Sequence, residues 1–309
     1  MNIIKKRIIW YIFSIIISVL SVLALLFWGL KPGADFTGGT LIKVGFNTNI
    51  SAVAIKDSMK DLDLKDLSVS NSDNNIVQIK TEPISKKEVD KIISTIKINL
   101  TSNKSLGITK VEELQVQTIG PTVGSDMTKR ASIAVCVAVI GIILYIAWAF
   151  RKVQQPFSSW SMSIATVVAL CHDILIILGF VSTINHFYGF EANSYLLVAL
   201  LTVLGFSVHD TIVVFDRIRE NLLRSPHSES LEKVVDSSID QTLARSINTS
   251  VTAILVLLAL TTIGGGSIRP FVLTLLAGIT IGTYSSIFVA SPLLVTWNNI
   301  KHKIKKSRS

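Results

Sequence analysis

The sequence predicts a helical membrane protein in which six transmembrane helices form a bundle and one α+β domain is inserted outside the membrane. Three observations lead there. Of the 309 residues, 49% are hydrophobic and only 17% charged, and the mean hydropathy is +0.54, well beyond a soluble domain of this size. Six apolar runs reach the roughly 20 residues that a helix needs to cross the hydrocarbon core. They lie at about 8–30, 131–150, 157–182, 193–216, 246–264 and 271–296. A single long polar stretch, 31–129, separates the first run from the second.

The first run is longer than the apolar core of a signal peptide and is followed by "KPGADFTGG", which holds no small-residue cleavage site, so it reads as a retained span. Within 31–129, "GTLIKVGF" alternates as a strand and "SAVAIKDSMKDL" has helical spacing. "LSVS" and "NNIVQIKT" read as strands about a polar turn. In "SKKEVDKIISTIKINL", Ser85 and Glu88 form a capping box ahead of a helix with Val89, Ile92, Ile93 and Ile96 on its apolar stripe. "KVEELQVQT" closes the domain as a strand. The order β-α-β-β-α-β is that of the split, ferredoxin-like plan. The chain therefore divides into 1–30 (amino terminus and first span), 31–129 (external domain), 130–300 (five further spans) and a basic tail, 301–309. The segment 217–245 is charged and helix-prone, and an amphipathic helix on the membrane face fits it.

The net charge of +9 is not spread as a nucleic-acid surface requires. Lys and Arg gather beside the spans, in "KKR" (5–7), "RK" (151–152), "RIRENLLR" (217–224) and "KHKIKKSRS" (301–309). With six alternating spans these share one side, which the positive-inside rule makes cytoplasmic, both termini included. Lys129 and Arg130 flank the second span on the other side after a long loop, where that rule is weak. The basic tail suits anionic lipid. Cys136 and Cys171 fall inside apolar runs and are expected as buried small hydrophobes, which implies neither a disulfide nor a metal framework. No HExxH, GxSxG, Walker loop or paired-cysteine site occurs, so the sequence supports no enzyme, metal or cofactor.

Polar residues inside the spans carry the functional signal. A carboxylate near a helix centre costs about 3 kcal/mol to insert, so Asp210, with Ser207, His209 and Thr211 beside it, reads either as part of an ion pathway or as polar glue between helices. His172 and Asp173 interrupt the third span and are expected about two helical turns from Asp210 in depth, as steps in a proton relay or as a structural pair. Arg245 opens the fifth span. It is expected either to pair with Asp210 or to serve as a headgroup anchor. Gly278 and Gly282 have the spacing that lets helices pack closely.

These residues lie in stretches that together resemble one family: "GADFTGGT", with Asp35, Gly38 and Gly39; "GPTVGSDM", with Gly120, Pro121 and Gly124; "ALCHDILIILG"; "GFSVHDTIVVFDRIREN"; and "QTLARSINTSVTAILVLLAL". Over essentially its whole length the chain resembles the SecD/SecF family of bacterial protein-export membrane subunits, within the resistance-nodulation-division superfamily. The resemblance implies a heterodimer with SecD, association with the SecYEG channel and the SecA motor, and an unfolded polypeptide in transit as substrate. It also implies coupling to the proton gradient, with Asp210 and Arg245 at the positions of the family's acid and arginine. His209 stands where many relatives have Asn, which leaves proton and sodium both open. A non-conducting scaffold and a half-unit of a small-molecule exporter are the competing readings.

Overall fold

The computed structural model describes residues 2–308 apart from 61, 63, 74, 103–107, 152–156, 158, 225–228 and 267. Lys152 of the basic pair and the side chains beyond Lys301 in the basic tail lie outside what is described.

Six long apolar helices dominate: α1 (Arg7–Trp28), α5 (Pro121–Ala149), α6 (Ser159–Tyr188), α7 (Ser194–Arg224), α8 (Leu231–Ile263) and α9 (Arg269–Ser285). The last continues through a π turn (Ser286–Ala290) into α10 (Ser291–Arg308). α6, α7 and α9 form the buried centre of the bundle. α1, α5 and α8 flank it and turn long apolar faces outward, among them Ile12, Leu26, Ile140, Leu144, Leu255 and Val256. An outer face of exposed Leu and Ile is stable only against lipid or another apolar partner.

Between α1 and α5 come α2 (Ala34–Thr37), β1 (Gly39–Phe46), α3 (Ala52–Ser58), β2 (Ser68–Asp73), β3 (Ile76–Thr81), α4 (Lys86–Ser102) and β4 (Val111–Ile119). The four strands form one antiparallel sheet in the order β2-β3-β1-β4. Alternation sends Ile42, Val44, Val77 and Ile79 to one face. There Ile55 of α3, Met59 just past its end, and Val89, Ile92 and Ile96 of α4 complete a buried core. Glu88 reaches back to the Ser85 N–H at 2.8 Å, as a capping box requires, while the Ser85 hydroxyl donates to the same carboxylate at 2.7 Å instead of accepting from a helix N–H. Those bonds from the Ser85 hydroxyl and backbone hold the Glu88 carboxyl below its usual range.

Two boundaries differ from expectation. α5 starts at Pro121, almost three turns before the apolar run, so Lys129 and Arg130 sit on a helix rather than at the end of a loop, with Arg130 paired to Asp126 at 2.7 Å. Pro121 at the first helical position, where a missing N–H costs nothing, sets that start. The segment 217–245 is not a separate surface helix, because its described residues extend α7 to Arg224 and begin α8 at Leu231. Its apolar positions Val235 and Ile239 are buried in the bundle core with Ile3 and Ile4, and Asp236 accepts from the Ile4 N–H at 2.9 Å.

Because the small domain closes its own core, residues 35–125 expressed alone should unfold cooperatively in denaturant. Within that fragment Ile92→Ala should cost about 2–5 kcal/mol, the loss for a fully buried aliphatic side chain, read from the shift of the urea midpoint.

Candidate functional site

Where α6, α7 and α9 meet, the packing residues are small or carry hydroxyls. A Cβ added to Gly282 would stand 3.0 Å from the Ser207 Cβ, and one added to Gly278 would overlap the Val203 side chain, so both glycines let α9 lie directly on α7. That approach brings two hydroxyls onto one acid. Asp173 of α6, 1% exposed, accepts from Ser207 Oγ of α7 and from Ser285 Oγ of α9, both at 2.7 Å and both on Oδ2. Its Oδ1 lies 3.0 Å from His172 Nδ1. Each of these bonds offsets part of the cost of burying the carboxylate, and together they join three helices through one side chain.

Three residues further along α7, Asp210 is 7% exposed and far less satisfied. Its Oδ1 accepts from Ser246 Oγ of α8 at 2.6 Å, while its Oδ2 is buried with no partner among the described residues. Hydroxyls fill the same layer. Thr211 Oγ1 and Ser286 Oγ are 2.8 Å apart, Thr211 Oγ1 donates to the Ser207 carbonyl at 3.0 Å, and Ser250 and Thr283 meet at 2.5 Å. Ser286 opens the π turn, where the Ser291 hydroxyl donates to the Ser286 carbonyl at 2.9 Å. A π turn inside an α-helix costs stability and is found most often at functional sites.

Several expectations change. Asp173 and Asp210 are about one turn apart in height, not two, because Asp173 bonds Ser207, which precedes Asp210 by three residues, roughly 4.5 Å of rise. The ends of the apolar runs do not fix the depth, because α6 and α7 extend well past them, to 30 and 31 residues. Arg245 is exposed and makes no ion pair with Asp210. α8 turns Ser238, Thr242, Ser246 and Ser250 inward at helical spacing, which leaves Arg245, about 100° around the helix from Ser246, on the outer side. His209 is likewise exposed beside a buried Asp210. The Nε2 of His172 is buried without a partner among the described residues. Cys136 and Cys171 are exposed on the bundle surface rather than buried, since an apolar run does not distinguish a core face from an outer one. Ser246, Ser285 and Ser286 were not singled out from the sequence. Their only signal was hydroxyls recurring inside apolar runs, in "SINTS" and "TYSS".

The two glycine motifs meet at the base of the α+β domain. A Cβ on Gly124 would lie 2.6 Å from the Gly38 N, and Gly38 (φ +76°) and Gly39 (φ +138°) adopt backbone conformations open mainly to glycine. Gly120 caps α5 in extended conformation, with Pro121 as the first helical residue. Asp35 accepts from both the backbone N–H (2.8 Å) and the hydroxyl of Ser194, so a carboxylate of the domain caps the helix that carries Asp210. Beside it Lys80 donates to the Pro32 carbonyl at 2.7 Å and pairs with Glu191 at 3.4 Å, while the Gly33 N–H donates to the Ala192 carbonyl at 2.6 Å. Burial raises the Glu191 carboxyl above its usual range, against the lowering effect of Lys80 and Lys31; Asp35 raises it further.

A six-helix bundle with a carboxylate layer at its centre and an α+β domain clasped to one end defines a polytopic membrane protein. A family model described as "Protein export membrane protein SecD/SecF, C-terminal" matches residues 99–300. Protein translocase subunit SecF of Thermobaculum terrenum is 40% identical over 96% of this chain and 94% of its own, and that of Anaerolinea thermophila is 34% identical over 97% and 94%. The crystal structure of SecDF, a translocon-associated membrane protein from Thermus thermophilus, superposes with a TM-score of 0.83 at 30% identity, covering 97% of this chain. This chain spans 39% of that longer one. The chain belongs to the SecD/SecF family of protein-export membrane proteins.

A raised carboxyl stabilises the folded junction below the ordinary glutamate range, and that contribution is lost as pH rises through the raised value. The thermal midpoint of the wild-type protein should therefore rise on acidification from neutral pH. Glu191→Gln, fixed in an uncharged form, should flatten that rise in a fluorimetric melt followed against pH.

Proposed function

We propose that this chain is an accessory subunit of the Sec protein translocase of a bacterial inner membrane, paired with SecD, and that it couples the proton gradient to polypeptide export in concert with the SecYEG channel and the SecA motor. Near full-length similarity to proteins called translocase subunit SecF supports the export role, and the likeness to SecDF supports the SecD partnership. The end of the bundle opposite the α+β domain carries Lys5, Lys6, Arg7, Arg151 and Arg217–Arg224, which by the positive-inside rule is cytoplasmic, with both termini inside and 31–129 outside.

The observation that carries the coupling is the contrast between the two buried acids. Asp173 is saturated by partners on three helices and acts as a fixed pin, a structural part rather than a relay step. Asp210 accepts from Ser246, and its Oδ2 is buried without a hydrogen-bond partner among the described residues, so it is the group that can take up and release a proton. In the present state Ser246 faces it. A rotation of α8 by about 100° would replace Ser246 with Arg245 opposite the carboxylate, giving a paired and an unpaired state of the same site. One charge crossing the full membrane potential releases about 2.3 kcal/mol per 100 mV, enough to bias a two-state movement of the domain that Asp35 ties to α7.

Asp210→Asn should abolish the gradient-dependent part of export while the protein still inserts and co-purifies with its partner. Full export in that variant at equal complex levels would favour a non-conducting scaffold. Arg245→Lys should slow gradient-driven export on the order of tenfold, equivalent to about 1.4 kcal/mol of lost charge-assisted bonding, with little change in assembly.

A further inference from the structure

The sixth span changes face partway along its length. In an unbroken α-helix, residues 18 apart are separated by five full turns and share a side. Thr280 and Asn298 have that spacing, yet Thr280 is exposed and Asn298 is only 7% exposed. Gly282 is buried while Ile300 is 51% exposed, and Ile279 is buried while Trp297 is exposed. Asn298 stands 19 residues after Ile279 and is buried like it, a slip of one residue or about 100°. The π turn at Ser286–Ala290 lies between the two halves, and its i→i+5 bonding takes up one residue more than the α pattern, which supplies that step.

Pro292 accounts for the turn. It has no N–H to offer the Phe288 carbonyl four residues back, and its ring crowds that oxygen, so an α-helical path is blocked inside the segment that widens. The Ser291 hydroxyl donates to the Ser286 carbonyl at 2.9 Å and ties the widened turn across its length. Both borders of the turn are engaged. On one, Ser285 donates to Asp173, and Ser286 meets Thr211 at 2.8 Å while Thr211 donates to the Ser207 carbonyl, so Ser286 is bonded into the turn of α7 that carries Asp210. On the other, Leu294 and Val295 are wholly buried in the core with Ile4, Val235 and Ile239. Closing the turn to α must rotate one half against the other. Withdrawing two aliphatic side chains from the core costs more than breaking a hydroxyl contact, so the serine border yields first.

We infer that Pro292 is a positioning residue for the two buried acids: it keeps the π turn open, and the open turn brings Ser285 and Ser286 to Asp173 and to the Asp210 turn of α7 while α10 keeps its own core face. Pro292 acts through the two serines. Its part in coupling rests on the export reading, whereas its part in setting the faces of the span does not.

The test uses the full chain in its complex in membranes, with Cys136 and Cys171 replaced by Ala. Thr211→Cys with Ser286→Cys should form a disulfide on mild oxidation, since the hydroxyls they replace are 2.8 Å apart, and adding Pro292→Ala should lower that crosslink several-fold. With Thr211 and Ser286 intact, Pro292→Ala should reduce gradient-driven export several-fold while complex levels and export without a gradient are unchanged. Deleting Val289 in the Pro292→Ala chain removes the surplus residue, so an unbroken α-helix can keep both faces, and both readouts should recover. A proline that served only to bend the helix could not be replaced by a deletion. Undiminished crosslinking in Pro292→Ala overturns the inference, as does wild-type gradient-driven export in that variant or an assembled deletion variant that does not recover. If the deletion variant fails to assemble, the crosslink in the single variant decides alone. Depleting the whole chain tests the export reading separately: export insensitive to depletion defeats that reading, and the crosslink still judges the role of Pro292.

Discussion

Much of the bundle depends on one carboxylate. Asp173 is almost wholly removed from solvent, in a setting where an unpaired acid is costly, and it is stable there because α7 and α9 each deliver a serine hydroxyl to the same oxygen. The three central helices are thereby held at a set height and rotation. Gly278 and Gly282 make this possible by removing the side chains that would keep α9 away from α7, so small-residue packing and polar bonding are two parts of one contact.

That rigidity sets off its neighbour. One turn away, Asp210 accepts from Ser246 of α8, a peripheral helix with much of its surface facing outward, and its Oδ2 is buried without a hydrogen-bond partner among the described residues. A firmly held acid thus stands beside a loosely held one, and under the proposed coupling the first would keep the helix packing while the second changes state. The π turn at Ser286–Ala290 lies at the same level, where the hydrogen-bond ladder of the sixth span is already widened and a change of pairing is least costly.

The domain is joined to this centre by the α7 amino terminus. Asp35 caps it, Gly38 and Gly124 let α2 lie against the start of α5, and Lys80 bridges Pro32 and Glu191. A shift of α7 along or about its axis is therefore felt at the base of the sheet without passing through a flexible linker. The glycine motifs, which read in the sequence only as a likeness to a family, acquire a mechanical reason in this contact.

The sequence by itself determined the six spans, the position of the inserted domain and its strand and helix order, because hydrophobic length and periodicity are local properties of the chain. Asp210 and Asp173 were equally legible, since a charge inside an apolar run stands out wherever the helix packs. Only the tertiary structure decided what those acids touch. Ser246 faces Asp210 while Arg245 turns outward, Ser285 and Ser286 approach from a helix far away in sequence, and both cysteines lie on the outer surface. The rotation of one helix against another is set by small residues at crossings and by donors from distant segments, and no hydropathy pattern within a single helix records it.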